Sequence, residues 1–410
     1  MNPRLNLRVL KTIFKIWNLL DRKRKKESFC LLILLIFCGL VELISLASVV
    51  PFLMVITDPE RLLNIGFFKN IFDNFSIITN NQILLITTLL FLSASIFNMI
   101  IRVSSLYLQG RFAAKIGCEF SCRVFQISLN KPYLWHIKQN SSEIINDATN
   151  NVKFLVLFIR SFLTISTQLT VTIFLLLGLF IFDGLSAVFS GFIFLSAYLL
   201  LAFFVRRRIY SNGKFFVLAN QKIIKMLQEV LGLIREVIMN NMQYQFINSY
   251  QKIDNPSRLK EAENEFLKTS PRYVLEAICF SLVAILACIL TLTKESPAQV
   301  IFTLGTLAVG AQKLLPAMQG VYLDWANLKH YYPGTLSVLK IIDSQEPNLN
   351  KEIFEKEISF NKNVKLENLS FKYENDDKKN ILSRVNLTIN KGQRIGIIGG
   401  TGSGKSTLID

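Results

Sequence analysis

Apolar residues dominate six long stretches of the chain, and shorter polar segments separate these stretches. A helix needs about 20 mainly apolar residues to cross the hydrocarbon part of a bilayer, and each stretch approaches or exceeds that length. The pattern therefore predicts an α-helical membrane protein with six transmembrane helices. The predicted spans are Phe29–Leu53, Ile83–Leu108, Phe154–Phe182, Leu185–Val205, Tyr273–Thr293 and Ala298–Tyr322.

The connections between the predicted spans differ in length. Asp183–Gly184 separates the third and fourth spans and Lys294–Pro297 the fifth and sixth, so both pairs are expected to form tight hairpins. The loops Gln109–Lys153 and Arg206–Arg272 are long and have apolar residues at helical spacing. We therefore expect their helices to continue beyond the bilayer. Trp325–Ile342 predicts a similar extension of the sixth span.

The first span has an alternative interpretation as a secretory signal. Ser45-Leu46-Ala47 resembles the small-residue cleavage site that follows an apolar signal segment. However, the basic segment 1–28 is long for a signal peptide, and the apolar character continues without a break to Leu53. These features favour a membrane span.

Composition and charge agree with a membrane protein. Of 410 residues 51% are hydrophobic, the mean hydropathy is +0.38 and the formal net charge is +17. Basic residues cluster beside the apolar stretches, as at Arg22–Lys26 and Arg206–Arg208, and form no recognisable base-reading module. The charge thus favours membrane lipids over nucleic acid as a partner. The positive-inside rule places both chain ends in the cytosol, and we expect a multi-pass protein of a bacterial inner (plasma) membrane.

The pattern changes after the sixth span. We predict a transmembrane domain over 29–342, a polar linker over 343–357 and a second domain over 358–410. In the second domain, apolar and polar residues alternate over Val364–Tyr373 and Val385–Ile389, and an apolar run covers Arg394–Ile398. These runs predict three strands at the start of an α/β domain.

A glycine-rich motif follows the third predicted strand. Residues 399–406 read GGTGSGKS and satisfy the P-loop pattern in full, between a predicted strand and a predicted helix start. Glycines let backbone N–H groups approach phosphate oxygens, and the helix start favours the same anion. Lys405 would contact the β- and γ-phosphates of ATP, and the Ser406 hydroxyl would bind Mg²⁺. The expected ligands are therefore ATP and Mg²⁺.

The run Ile381–Leu408, ILSRVNLTINKGQRIGIIGGTGSGKSTL, resembles the start of the nucleotide-binding domain of the ATP-binding cassette (ABC) family. With six spans before it, the chain resembles an ABC exporter that works as a homodimer with helices swapped between the two copies. The resemblance implies that Tyr373 stacks on adenine. The nucleotide-binding residues that motif and resemblance imply are Tyr373, Gly399, Gly400, Thr401, Gly402, Ser403, Gly404, Lys405, Ser406 and Thr407.

The family mechanism requires two cassettes that close around two ATP molecules and reopen after hydrolysis. The given sequence stops at Asp410, before the signature motif and the catalytic glutamate of the family. No residue can therefore be named as the catalytic base. The 410-residue chain alone is not expected to complete an ATPase cycle, and we expect it to be a truncated product, an incomplete sequence or one part of a split gene.

Family exporters pass cassette motion to the spans through short helices in the cytosolic loops. By resemblance, Pro132–Gln139 is the candidate for the first such helix, with Asn140–Glu143 capping the helix that follows. The alternative is that Trp135 and His136 only cover an apolar surface. The second coupling helix is expected between Asn220 and Arg235.

Polar residues within spans are costly and often mark a transport path. The candidates are Glu42, Asn98, Arg102, Gln168, Gln312 and Lys313. Arg102 and Lys313 have the alternative of reaching the interface with their long side chains. Pro316 is expected to bend the sixth span.

The substrate is expected to be amphipathic. Thr57–Phe75 has the character of a short amphipathic element, and Ala308–His330 is similar to the matching region of lipid-linked oligosaccharide flippases. A lipid-linked saccharide is the leading hypothesis and a peptide or drug exporter the alternative. A membrane protein that binds nucleotide without hydrolysing it is a second class. A gated channel is a third, although the sequence contains no selectivity filter.

Overall fold

A computed structural model of the chain describes residues 4–57, 80–183, 185–292, 297–344, 360–372 and 380–409. The chain divides into two compact units, Met1–Gln345 and Glu346–Asp410. Several predicted features lie outside the described residues: most of the amphipathic element Thr57–Phe75, the turn residue Gly184, the loop 294–296, the linker from residue 345 onward, and Tyr373.

The described residues of the first unit are almost entirely helical. The helices are α1 (Arg4–Leu19), α2 (Arg22–Ala47), α3 (Val49–Thr57), α4 (Asn80–Leu129), α5 (Tyr133–Lys138), α6 (Ser141–Asn146), α7 (Val152–Asp183), α8 (Leu185–Gly232), α9 (Ile234–Met239), α10 (Gln243–Leu292) and α11 (Pro297–Asp343). A π-helical turn, Asp147–Asn151, connects α6 to α7.

Four helices are much longer than a membrane span. Helices α4 and α10 have 50 residues each, α8 has 48 and α11 has 47. At 1.5 Å per residue, such helices are about 70–75 Å long, more than twice the thickness of the hydrocarbon core. The predicted helical extension over Trp325–Ile342 is confirmed, and the position of the helices relative to a bilayer stays a prediction.

All six predicted spans coincide with helical segments, but the number of membrane crossings remains a prediction. Within the described residues, three helical stretches are long and apolar enough to cross a membrane. They are Arg22–Ile56, Gln82–Leu129 and Ser141–Gly178.

The first predicted span is interrupted at Ser48, where α2 ends and α3 begins. Pro51 has no N–H to donate to the carbonyl of Ala47, and its ring clashes with that carbonyl in a continuous helix. The Ser48 backbone N–H and hydroxyl instead bond to the carbonyls of Ile44 and Ser45, both at 2.9 Å. The chain thus changes from one helix to the next without an unpaired amide at Ser48.

Helices α7 and α11 contribute to both hydrophobic clusters of the first unit. The larger cluster joins them to α1, α2 and α4, and includes the fully buried side chains of Leu155, Phe158 and Val338. The smaller cluster lies around Leu175 and Leu314, with Leu275 of α10 packed against them. The apolar residues of α4 near Leu89 and Ile96 are exposed by contrast, as expected for a surface that faces lipid or another protein.

The second unit contains an antiparallel pair of strands, β1 (Asn363–Phe371) and β2 (Leu382–Asn390), which confirms the first two predicted strands. The register shifts twice, near Asn368 and Arg384, whose φ angles are both 49°. Their backbone N–H groups donate to Asn386 Oδ1 at 2.7 Å and Ser370 Oγ at 2.9 Å, respectively. These side chains replace ladder bonds that the bulges interrupt.

The prediction of a third strand over Arg394–Ile398 is wrong, because these residues form no strand in the structure. A strand requires a neighbour that pairs with its backbone, and within the described residues of this unit only β1 and β2 pair. The side chain of Ile398 is 97% exposed. The helix α12 (Lys405–Ile409) begins where the P-loop motif predicts a helix start.

Candidate functional site

The P-loop forms a turn that ends at the start of α12. The Lys405 ammonium donates to the carbonyl oxygens of Gly399 and Gly400, each at 2.7 Å, so its charge lies over the first glycines of the motif. The Ser403 N–H bonds to the Gly400 carbonyl at 3.3 Å and closes the turn. The positive charge and the loop backbone therefore lie together, as phosphate binding requires.

Two glycines of this loop are required by its backbone geometry. Gly402 and Gly404 have φ angles of 83° and 86°, in the region that residues with a Cβ rarely adopt. A Cβ on Gly399 would lie 2.7 Å from Ser403 Oγ, a contact that rotation of the serine side chain can relieve. A Cβ on Gly400 would meet nothing within 4 Å, so that position is open to an approaching ligand.

The remaining predicted site residues surround the same loop. Thr401 and Ser403 are exposed in the turn, Ser406 is exposed and Thr407 half-buried in the first turn of α12. A serine hydroxyl is a hard oxygen ligand of the kind that Mg²⁺ prefers, so the residues present fit the expected group. The Tyr373 side chain lies outside the described residues.

The family pattern described as ABC transporter matches residues 382–410, from β2 through the P-loop. A bacterial Atm1-family ABC exporter solved with ATP bound has a similar fold, with a TM-score of 0.66 and 12% identity, over 95% of this chain and 65% of that chain. The chain therefore has the architecture of an ABC exporter. Its helical unit corresponds to the membrane part, and its second unit contains the start of the ABC transporter domain.

Curated relatives match shorter parts of the chain. The putative multidrug export ATP-binding/permease protein YgaD of Bacillus subtilis is 48% identical over 46 residues, 11% of this chain and 8% of that protein. A putative ABC transporter ATP-binding protein of Bacillus cereus is 42% identical over 110 residues, 24% of this chain and 19% of that protein. The matches thus cover less than a fifth of the length of either relative.

The first candidate coupling segment forms a short helix, α5, as predicted. Trp135 and His136 are half-buried with their rings edge to face at 5.0 Å, whereas Tyr133 and Ile137 are exposed by 60% and 53%. Asn140 caps α6, because its Oδ1 accepts a hydrogen bond from the Ser142 N–H at 3.2 Å. The predicted cap is confirmed at that residue.

The second candidate segment contains a break. Helix α8 ends at Gly232, and α9 covers Ile234–Met239 after Leu233. The predicted interval Asn220–Arg235 includes the break but only the first two residues of α9. Leu233, Ile234 and Ile238 are exposed. The Gln221 amide of α8 donates to Glu143 of α6. The helix after the first candidate segment therefore contacts the helix before the break in the second.

Five of the six predicted transport-path residues line one cavity of about 510 Å³. Glu42 of α2 lines this cavity, and its side chain is only 5% exposed. Its carboxylate accepts a hydrogen bond from the Asn98 amide at 3.0 Å, pairs with the Lys313 ammonium at 3.0 Å and lies 3.8 Å from the Arg102 guanidinium. Gln312 also lines the cavity.

The sixth predicted residue, Gln168, lies elsewhere. Its side chain packs against Gly320 of α11, where an added Cβ would be only 2.9 Å from Gln168 Cγ. Its Oε1 atom is buried without a hydrogen-bond partner among the described residues. Gln168 is thus not among the described residues that line the cavity, and its part in a transport path stays a prediction.

Sequence reasoning missed a buried polar network between α8, α10 and α11. Asn212 donates to Asn264 Oδ1 at 3.1 Å, and Asn264 lies 2.9 Å from His330 Nδ1. Since the Asn264 oxygen is already an acceptor, its amide donates to His330, which places the histidine proton on Nε2. Burial, together with the smaller effect of the Lys268 charge, lowers the pKa of His330 to about 3. Asparagine and histidine at distant positions carry no local signal that predicts this contact.

Proposed function

We propose that the chain belongs to an ATP-driven exporter or flippase that moves an amphipathic substrate across a membrane. One observation carries the proposal: a P-loop with Lys405 over its carbonyls lies in the same chain as a helical unit with the fold of an ABC exporter. The family match over 382–410 supports ATP as the energy source. The matches cover less than a fifth of the length of either curated relative. The activity of the whole protein is therefore part of this proposal.

The proposed nucleotide site uses the residues that the motif provides. Backbone N–H groups of Gly399–Thr407 would bind the phosphates, Lys405 would neutralise the β- and γ-phosphates, and Ser406 would bind Mg²⁺. Tyr373 is proposed to stack on the adenine ring. The proposed domains are a basic N-terminal segment over 1–28, a transmembrane domain over 29–342, a linker over 343–357 and the start of the nucleotide-binding domain over 358–410.

Two copies of the complete protein are proposed to act as a homodimer, because family cassettes hydrolyse ATP between two domains. The exposed apolar side chains of Tyr133 and Ile137 on α5 support a docking role for that helix. They are four residues apart and thus share one helical face. The segment around α9 is proposed as the second contact, since it also exposes apolar residues.

The proposed location is a bacterial inner membrane with both chain ends in the cytosol. This orientation rests on the clusters of lysine and arginine beside the predicted inner ends of the spans. Membrane lipids surround the exposed apolar surface of helices such as α4.

The proposed substrate is a lipid-linked saccharide. The similarity of Ala308–His330 to flippases of such lipids supports it, and so does a cavity with both charged and aromatic lining residues. The alternative of a peptide or drug exporter is favoured by the match to a putative multidrug export protein. Vesicle assays with a glycolipid and with peptides, each with and without ATP, separate these alternatives.

The test of ATP-driven transport is Lys405→Ala in the complete protein, reconstituted in vesicles. We expect ATP hydrolysis and transport to fall at least about a hundredfold, because phosphate stabilisation of this kind contributes that much to the rate. Membrane insertion should stay unchanged. The matched control is Lys391→Ala, which removes an exposed lysine from the turn after β2 and should retain activity.

Transport that persists in Lys405→Ala would contradict the assigned role of the lysine. Nucleotide binding without turnover in the unmutated complete protein would instead favour the class that binds ATP without hydrolysing it.

A further inference from the structure

The cavity around Glu42 has two chemically different ends. Asn98 and Arg102 of α4 line one end, with Glu42 and Lys313 beside them. Phe52 and Phe91 line the other, with their rings stacked at 5.6 Å. Its volume of about 510 Å³ is in the range of small-molecule sites, about 300–1,000 Å³.

The Glu42 carboxylate is already satisfied by protein groups. One oxygen accepts from the Asn98 amide and the other pairs with Lys313, each at 3.0 Å. Lys313 also donates to Ser45 Oγ at 2.9 Å. Because Glu42 is nearly buried and fully partnered, it is not available to bind a cationic ligand.

Arg102 differs, because its guanidinium has no hydrogen-bond partner among the described residues. Its nearest acidic oxygen, on Glu42, lies 3.8 Å away, which is too far for a hydrogen bond. The side chain is 47% exposed and lines the cavity. A guanidinium has five N–H donors in a planar fork that matches carboxylate and phosphate groups.

The charges of this cluster do not balance. Among the described residues that line the cavity, Arg102 and Lys313 carry two positive charges against the one negative charge of Glu42. An uncompensated charge within a membrane span is costly, and a bound anion would remove the imbalance. The charge count and the free guanidinium therefore both favour an anionic ligand.

The aromatic end adds a requirement for an apolar group. Phe91 is eleven residues before Arg102 on α4, which corresponds to roughly 16 Å along the helix. A ligand that reaches both ends must have an anionic group and an apolar part several carbons long.

We infer that this cavity binds the anionic head group of an amphiphile, a phosphate or carboxylate, with Arg102 as its main donor. This inference rests on the proposed function, since it specifies the substrate class of that transporter. Glu42 then acts as an internal counterion that holds Lys313 and sets the net charge of the site at one positive unit.

The test is a binding measurement on the complete protein in a neutral detergent, without ATP. The probes are dodecyl phosphate, the zwitterionic dodecylphosphocholine of equal chain length, and inorganic phosphate. We expect dodecyl phosphate to bind at least about tenfold more tightly than either of the others, because only it supplies both the net charge and the apolar chain.

Variants separate the site from general damage. Arg102→Gln should weaken dodecyl phosphate binding at least about tenfold, and Arg102→Lys should restore part of the affinity because it keeps the charge. Glu42→Gln should tighten binding, since it frees Lys313 and raises the positive charge of the site. Arg123→Gln, on the same helix but away from the cavity, is the matched control and should bind like the unmutated protein.

Equal affinity for dodecyl phosphate and dodecylphosphocholine, or unchanged affinity in Arg102→Gln, would overturn the inference. Inorganic phosphate that binds as tightly as dodecyl phosphate would overturn the amphiphile requirement. Weaker binding in Glu42→Gln would overturn its role as a counterion. Because no ATP is present, these outcomes do not depend on transport activity, and a failed Lys405 test leaves them interpretable.

Discussion

Gly213 of α8 packs against the backbone of α11. Among the described glycines, it is the one where an added Cβ would come closest to the backbone of another segment. A Cβ added there would lie 2.4 Å from the His330 carbonyl oxygen and 3.2 Å from its Cα. Ordinary contact begins at 3.4 Å, so the two helices would have to separate by about 1 Å. Rotation of a side chain cannot relieve the contact, because His330 contributes backbone atoms. We therefore predict that Gly213→Ala destabilises the protein.

The size of the effect follows from opposing contributions. Alanine improves helix propensity over glycine by about 1 kcal/mol. Overpacking a close interface costs about 1–3 kcal/mol. The displaced α11 also carries His330, and losing its 2.9 Å contact with Asn264 costs about 1 kcal/mol more. The free energy of unfolding should thus fall by about 1–3 kcal/mol.

The matched control is Gly110→Ala in the long helix α4, where an added Cβ meets nothing within 4 Å. It should leave stability unchanged or raise it by up to about 1 kcal/mol. Both variants are compared with the unmutated protein by thermal unfolding in detergent. If Gly213→Ala proves as stable as Gly110→Ala, the close approach of α8 and α11 is wrong.

Two further predictions concern local interactions. Asn140→Ala removes the α6 cap and should cost about 1 kcal/mol, seen as faster hydrogen exchange of the Ser142 amide; unchanged protection would contradict the cap. His330 has a folded pKa of about 3, below its unfolded value, so the unfolded state binds the proton first as pH falls. The free energy of unfolding should decrease below about pH 6.5, by at most about 1.4 kcal/mol per pH unit. His330→Gln should abolish the part of this decrease that His330 causes. If the unmutated protein and the variant lose stability in parallel from pH 8 to 5, the prediction is refuted.

Features with a local signal were predictable from the sequence. The positions of the helices follow from apolar stretches of sufficient length, and the extension over Trp325–Ile342 follows from helical spacing. Asn140 could be identified as a cap because a capping side chain acts on an amide two or three residues later. The P-loop could be placed because glycines at fixed spacing are required for its positive φ angles.

Features that depend on distant partners were not predictable. Glu42 was recognised as an unusual residue, but its partner Asn98 is 56 residues away and lies on another helix. The strand predicted at Arg394–Ile398 has the right composition, yet pairing rather than composition makes a strand. The break at Ser48 does have a local cause, Pro51. A search for long apolar stretches does not detect it, because it does not take proline into account.

The cavity and the buried histidine network are connected through α11. Lys313 and His330 both belong to this helix, which is continuous from Pro297 to Asp343, and they are 17 residues or about 25 Å apart. Pro316 lies between them and removes the hydrogen bond to the Gln312 carbonyl, which leaves one backbone acceptor of the helix without its usual donor. Helix α11 thus contributes both to the close contact with α8, through His330, and to the charge of the cavity, through Lys313.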